Sequence, residues 1–439
     1  MKKLIETIRN IFKIEELRNR ILYTFGLLLI FRLGSFVVIP GINPAEISAL
    51  QSQTEGGGIL GLLDIFSGGA FSNASIFALG IMPYISASIV IQLLGIAIPY
   101  FQKLQKEGES GRRKINQWTR YLTIGILLLQ GPAYLVNLHT TLPQSAFVMS
   151  GALFTITATV VLIAGTMFVM WLGEKITDKG IGNGVSLIIM VGIIARLPQS
   201  FLAEVNNRFT TAGGGFVMLI VELVLLFLVF AATIAIVQAV RRVPVQYAKR
   251  IVGNKQYGGV RQYIPLKINA AGVMPIIFAQ AIMFLPALFG RFEATQGIAA
   301  VFGNMYGFWY NLIFGILVVL FTYFYTAITV NTNQMAEDMK RNGGFIPGIK
   351  PGKQTSHYLD TIMTRITLPG SISLAIIAIL PVFAHMIGVD GQFALFYGGT
   401  SLLILVGVVL DTLQQIESHL LLRHYDGLMK SGRLKGRNS

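Results

Sequence analysis

The side chains in this sequence that first suggest chemistry do not assemble into a reactive centre. His139, His357, His385, His419 and His424 fall in connecting segments, at the end of an apolar run or near the C-terminus. A membrane-embedded metalloprotease needs His-Glu-x-x-His or an equivalent set, because two histidines one helical turn apart must face one metal; the sequence has no such set. There is no cysteine, which removes disulfides, thiolate metal ligands and cysteine nucleophiles together. Gly180, Gly182 and Gly184 lie between two apolar runs in WLGEKITDKGIGNGVSLII. As a phosphate loop that pattern is weak, since no strand precedes it and no Gly-Lys-Ser/Thr follows; a tight turn between helices accounts for it better. Ion-coupled transporters carry ionisable groups at membrane depth, yet the apolar runs here are almost free of Asp, Glu and Lys. Arg32 is one charge that does lie inside a run, and it must face the bundle interior, water or an interface rather than lipid.

The elements that would carry these residues are set by composition. The chain has 439 residues, 53% hydrophobic and 13% charged, with a mean hydropathy of +0.64, whereas soluble domains are about 25% charged. This is a polytopic membrane protein. Ten apolar stretches approach spanning length, at about 21–41, 74–98, 118–138, 149–173, 181–198, 214–240, 269–290, 306–330, 370–388 and 392–410. An even number puts both termini on one side. Of the 35 Lys and Arg residues, 31 fall in the N-terminal segment, in 99–120, 172–184, 241–267 and 333–365, and in the C-terminal tail. That bias places both termini in the cytoplasm. The formal net charge of +15 therefore marks topology before it marks nucleic acid. The N-terminal stretch is charged throughout and lacks a small-residue cleavage site, so it does not read as a removable signal peptide. Its apolar face, Leu4, Ile8, Ile11 and Phe12, fits either a helix on the membrane surface or a simple charged leader.

One stretch organises the rest. Residues 67–94 are long enough to cross a bilayer, but the apolar piece before them, GILGLLDIF at 58–66, is half that length. Glycines at 56–58 and at 68–69 allow sharp turns at both ends, so 58–66 reads as a re-entrant segment, which survives at membrane depth only when enclosed in protein or lining water. The following span carries Pro83 with Ser86, Ser88 and Gln92 beyond it, while Ile81 and Ile85, four apart, share a face.

The cytoplasmic connections are longer than a pore needs. Segment 101–117 (FQKLQKEGESGRRKINQ) is either a solvated turn or a docking surface. Segment 241–267 contains seven Lys and Arg, no acidic residue and three tyrosines, and segment 333–365 holds several Gly and Pro turn sites. Long basic loops on the inner side suit a large partner with an anionic surface, such as ribosomal RNA or an acidic motor.

Seven stretches then carry a resemblance, in order, over nearly the whole chain: ALGIMPYISASIVIQLL, KEGESGRRKINQWTRY, GTMFVMWLGEKITDKGIGNGVSLII, INAAGVMPIIFAQ, FYTAI, GGFIPGIKPGKQT and YGGTSLLILVGVVLDT. They strongly resemble the SecY family, the channel subunits of the bacterial protein translocon. The resemblance implies an all-α membrane fold of ten transmembrane helices in two pseudo-symmetric five-helix halves with a re-entrant plug helix. The halves would be 1–198, containing spans 1–5 and a plug at about 58–70, and 199–410, containing spans 6–10, with 411–439 as a cytoplasmic tail. It places a ring of aliphatic side chains at the pore waist on Ile81, Ile85, Val185, Ile189, Ile277 and Ile404. Such a ring excludes ions by dewetting and offers a passing polypeptide no hydrogen bond to stall on. The plug maps to Ile59, Leu60, Leu62, Leu63, Ile65 and Phe66, and polar positions of a lateral gate to Ser86, Gln92 and Asn269.

The resemblance further implies docking of the SecA motor ATPase or the ribosome on Arg241, Arg242, Lys249, Arg250, Lys255, Lys350 and Lys353. The small membrane subunits SecE and SecG, signal peptides with unfolded secretory or membrane-protein clients, and the lipid bilayer complete the implied partners. No cofactor, metal or catalytic residue is implied. Two positions depart from the family: Lys350 stands where an arginine is usual in the G-x-R-P-G turn, and Asn254-Lys255 where an arginine pair is usual at the preceding loop tip. Lysine keeps the charge but loses the planar fork. The expected function is a passive, gated protein-conducting channel of the inner membrane, and the rival is a secondary transporter with a re-entrant helix.

Overall fold

Lipid leaves no partner for a bare N–H or C=O, so apolar runs satisfy their backbone internally as helices. The computed structural model describes residues 14–48, 50–51, 58–149, 151–210, 215–247, 250–252, 255–257, 261–288 and 304–430. The amphipathic stretch with Leu4, Ile8, Ile11 and Phe12 lies outside them. Within the described residues the helices are α1 (Glu15–Gly34), α2 (Gly58–Ser67), α3 (Met82–Ala97), α4 (Pro99–Lys106), α5 (Glu109–Thr141), α6 (Ala152–Lys179), α7 (Gly184–Thr210), α8 (Gly215–Gln238), α9 (Met274–Leu288), α10 (Phe308–Thr329), α11 (Thr332–Arg341), α12 (Lys353–Met386), α13 (Gly391–Ala394) and α14 (Gly399–Lys430). Seven are long and apolar enough to cross a membrane, or eight with α3 and α4 taken as one bent span. α1 and α9 cover the two remaining predicted runs.

Several boundaries differ from the sequence reading. The run at 74–98 becomes helical only at Met82: Pro83 is preset for a first turn, and Gly80 at φ +54° and Ala74 at φ +45° interrupt the chain before it. Residues 68–81 are instead held by bonds such as Ile39 N–H to the Ala74 carbonyl and Ile76 N–H to the Val37 carbonyl, both 2.9 Å. Segment 101–117 is mostly helix rather than loop. Its chain turns by 100° between α3 and α4, at the extended Ile98 before Pro99, and α5 starts at Glu109. The turn after α6 occupies only 180–183, where Gly182 takes φ +81°, and α14 continues as helix through the beginning of the expected tail.

The chain divides into two compact units, residues 1–200 with 407–439, and residues 201–406. In the first, α5 and α6 pack closely enough that a Cβ on Gly131 would touch Thr159 at 3.3 Å, the small-residue contact common between membrane helices. Its core gathers Ile39, Phe71, Tyr134, Leu135, Phe154 and Leu162. The Tyr134 hydroxyl donates to the Phe71 carbonyl at 2.9 Å. Ile181 N–H donates to the Thr24 hydroxyl of α1 at 3.1 Å and Gly182 N–H to Gln415 of α14 at 2.9 Å, so the glycine turn ties three elements.

In the second unit α10 packs on α9 and α12, while most of the apolar surface of α8 is exposed. Segment 241–267 folds as β1 (Val240–Tyr247), β2 (Arg250–Val252), β3 (Lys255–Tyr257) and β4 (Arg261–Lys267), and β5 is Gly344–Phe345. β1 pairs antiparallel with β4, Arg241 opposite Leu266 and Val245 opposite Gln262, and with β5 through Gln246 and Tyr247. The three-stranded order is β4-β1-β5. Val243, Val245 and Leu266 bury themselves with Met339, Ile346, Leu359 and Met363, so both long basic connections share one small core. These strands are the additions to an otherwise helical fold.

Candidate functional site

Helix α2 is a half-span seated inside the first unit. Leu62, Ile65 and Phe66 are buried, and Leu60 and Leu63 pack on the core that contains Phe71 and Leu135. The side chain of Ile59 lies outside the described residues. The chain leaves the helix through Gly68 and Gly69, at φ +69° and +89°, a left-handed turn open to glycine. The seat is tight, since a Cβ on Gly192 of α7 would lie 2.9 Å from the Phe66 carbonyl oxygen and 3.1 Å from the Gly68 nitrogen.

Polar groups close around the same exit. Asp64, 1% exposed, accepts the Ser72 N–H on Oδ1 at 2.8 Å. Its Oδ2 forms an ion pair with the Arg196 guanidinium of α7 without an aligned hydrogen bond. Arg196 also donates to the Ser72 hydroxyl and, through Nη1, to Gln199 at 2.7 Å. The Ser67 hydroxyl donates to the Asp64 carbonyl at 3.1 Å and accepts the Phe71 N–H at 3.0 Å. Arg32 donates to the Gly68 carbonyl and lies 4.7 Å from the centre of the Phe36 ring. It thus has the interior partner that a charge inside an apolar run requires.

The aliphatic positions fall at helix starts. Ile81 caps α3 and Ile85 is one turn inside it, both buried. Val185 and the buried Ile189 repeat that four-residue spacing at the start of α7, so each pair shares one helix face. In the second unit Ile277 is half-buried on α9 and Ile404 buried on α14; the Thr400 hydroxyl, one turn before Ile404, donates to Gln280 at 2.7 Å and ties these two helices together. Ser86 and Gln92 are half-buried on α3, and the Gln92 amide donates to the Ser88 hydroxyl at 3.5 Å. Asn269 lies buried just before α9, with its Oδ1 unpartnered among the described residues. A buried orphan acceptor costs about 1–3 kcal/mol, so that turn is held weakly.

The basic residues are divided by visibility. Arg241, Arg242, Lys350 and Lys353 are exposed, the first two on β1 and the others beside the start of α12. Lys249 and Asn254 lie outside the described residues, as do the side chains of Arg250 and Lys255, whose backbones belong to β2 and β3.

A second buried ion cluster escaped the sequence reading. In the second unit Arg208 donates to Glu204 at 2.7 Å, to Glu222 of α8 and to the Gly388 carbonyl at 2.6 Å. Glu204 also accepts the Asp390 N–H at 2.6 Å. It clamps the connection after α12 to α7 and α8. Glu222, a lone acid in an apolar run, was its visible signal.

The SecY family model matches residues 75–413. The SecY translocase subunit of Halalkalibacterium halodurans is 44% identical over 97% of this chain and 100% of its own. That of Streptomyces scabiei is 43% identical over 95% and 98%. The chain belongs to the SecY family. Solved structures agree in fold. A SecY structure concerned with how the plug domain stabilises the closed channel covers 95% of both chains with a TM-score of 0.62 at 18% identity. Sec61 in the canine ribosome–channel complex covers 95% of both with a TM-score of 0.55 at 17% identity. As a SecY-family protein the chain is a multi-pass membrane protein and a protein-conducting channel; nothing in these likenesses favours the secondary transporter.

Proposed function

We propose that the chain conducts unfolded secretory polypeptides outward and releases transmembrane segments sideways into lipid, as the passive part of a machine whose energy comes from a partner. Ile81, Ile85, Val185, Ile189, Ile277 and Ile404 serve as the constriction. Helix α2 is the plug. Ser86, Gln92 and Asn269 are the polar positions of the lateral gate, where contacts of about 0.6 kcal/mol each yield to an apolar segment that gains more from reaching lipid.

The observation that carries this reading is α2 itself: a ten-residue apolar helix, too short to cross, held in a buried seat that the chain leaves through the Gly68–Gly69 turn. A buried helix too short to span a bilayer fits a segment that fills a space the channel opens. The two pseudo-symmetric halves, 1–198 and 199–410, and the tail 411–439 belong to the same reading. So do the inner-membrane location with cytoplasmic termini, the SecE and SecG subunits, and docking of SecA or the ribosome on the basic connections. The ribosome has the most support, because two structures of similar fold, canine Sec61 and the yeast Ssh1 complex, were solved on ribosomes. No step needs covalent chemistry from the chain.

The constriction is tested by Ile81→Gly combined with Ile277→Gly. Removing two aliphatic side chains should wet the waist and raise resting ion conductance in a planar bilayer. Conductance equal to the parent channel would remove these residues from the constriction.

A further inference from the structure

We propose that Asp64 and Arg196 form a charged latch on the plug, and that this pair sets how strong an insertion signal a client must present before the channel opens. The proposal rests on α2 being the plug. Seated apolar side chains would hold such a helix without directionality, letting it leave in small steps. The ion pair adds a threshold.

Asp64 is carried by the plug and Arg196 by α7, so the pair crosses the surface that must part. Asp64 is inseparable from the turn that follows the plug: its Oδ1 accepts the Ser72 N–H at 2.8 Å and its carbonyl accepts the Ser67 hydroxyl at 3.1 Å. Arg196 grips both ends of that turn, pairing with Asp64 and donating to the Ser72 hydroxyl. Arg32 is the other charge at the site, and it bonds the Gly68 carbonyl, not Asp64. A Cβ on Gly69 would sit 3.1 Å from the Arg196 guanidinium, so the turn is shaped around that side chain.

Attraction between opposite charges is several-fold stronger in a dry site than in water. While the seat is closed the pair holds firmly; once water enters, the attraction collapses and both ions are solvated. The latch therefore releases all at once. Removing Arg196 leaves Asp64 a buried carboxylate without its ion pair, and removing Asp64 leaves the half-buried Arg196 without its counter-charge, so either change destabilises the closed state.

The test uses the full chain in a planar bilayer, together with export of a reporter bearing a weakened signal segment. Arg196→Gln and Asp64→Asn should each raise resting conductance by about tenfold or more and let the weakened reporter pass. The double variant should leak no more than either single. Arg196→Lys, which keeps the charge but loses the fork, should leak less than Arg196→Gln. Should Arg196→Gln fail to accumulate, Asp64→Asn, of the same shape as the native side chain, carries the expectation alone.

Additive leakage in the double variant, or equal leakage from Lys and Gln at 196, would overturn the latch. Excising residues 58–67 separates the two readings. If excision raises conductance while the single variants do not, the latch is wrong and the plug stands; if excision changes nothing, the plug reading itself fails.

Discussion

At the scale of single residues, closure depends on what is missing from a side chain as much as on what is present. Gly192 has no Cβ, and the one that alanine would add meets the Phe66 carbonyl oxygen at 2.9 Å and the Gly68 nitrogen at 3.1 Å. Both are backbone atoms of α2 and its exit turn, which cannot rotate away as a side-chain tip would. Gly192→Ala should therefore cost about 1–3 kcal/mol, the range for overpacking, seen as a lower melting temperature in detergent together with a raised resting conductance. A melting temperature and conductance equal to the parent would show that the seat has slack. The glycines flanking α2 were readable from the sequence, because a short apolar run between glycines has few other uses. Asp64 and Arg196 were not: nothing in the sequence pairs them, and only the fold brings residues 132 positions apart in sequence into one ion pair. Glu222 was legible as an oddity, a lone acid in an apolar run, but its partner Arg208 was not.

At the scale of elements, apolar composition made the helices legible, because a run of spanning length has no other way to satisfy its backbone in lipid. The strands stayed hidden. Pro244 and Pro265 argue against strands, yet β1 tolerates Pro244 because β5 pairs only with Gln246 and Tyr247, leaving β1 an edge on that side at Pro244. The alternation that could have shown β1 is two residues long, Val243 and Val245, and β5 lies about a hundred positions away. The sheet separates two kinds of substitution. Val245→Ala should loosen the shared core by about 2 kcal/mol, and protease should cleave within 241–267 faster. Lys350→Glu changes an exposed side chain whose residue contributes only its carbonyl, to the Thr355 hydroxyl at 3.0 Å. It should leave that cleavage rate unchanged and reduce motor-driven export by about tenfold, as reversing a charge at a docking rim does. Normal export by Lys350→Glu would remove Lys350 from the docking surface.

At the scale of the whole molecule, the distribution of charge is the organising fact, and α5 tests it most directly. Its 33 residues make a helix about 50 Å long, against about 30 Å of hydrocarbon, so it must project beyond the bilayer. The projecting end is fixed by sequence: Arg112, Arg113 and Lys114 crowd the first turns, while the far end runs into uncharged residues 140–149. Basic residues are retained on the cytoplasmic side, which predicts Ser110 inside and Ser145 outside. Both are exposed, and the chain has no cysteine of its own, so Ser110→Cys and Ser145→Cys can each be labelled without background. In intact cells a membrane-impermeant maleimide should react with Ser145→Cys alone, and in inside-out vesicles with Ser110→Cys alone. Labelling of both variants from one side would break, and the reversed pattern would invert, the topology on which the proposed positions of plug, constriction and docking surface all rest.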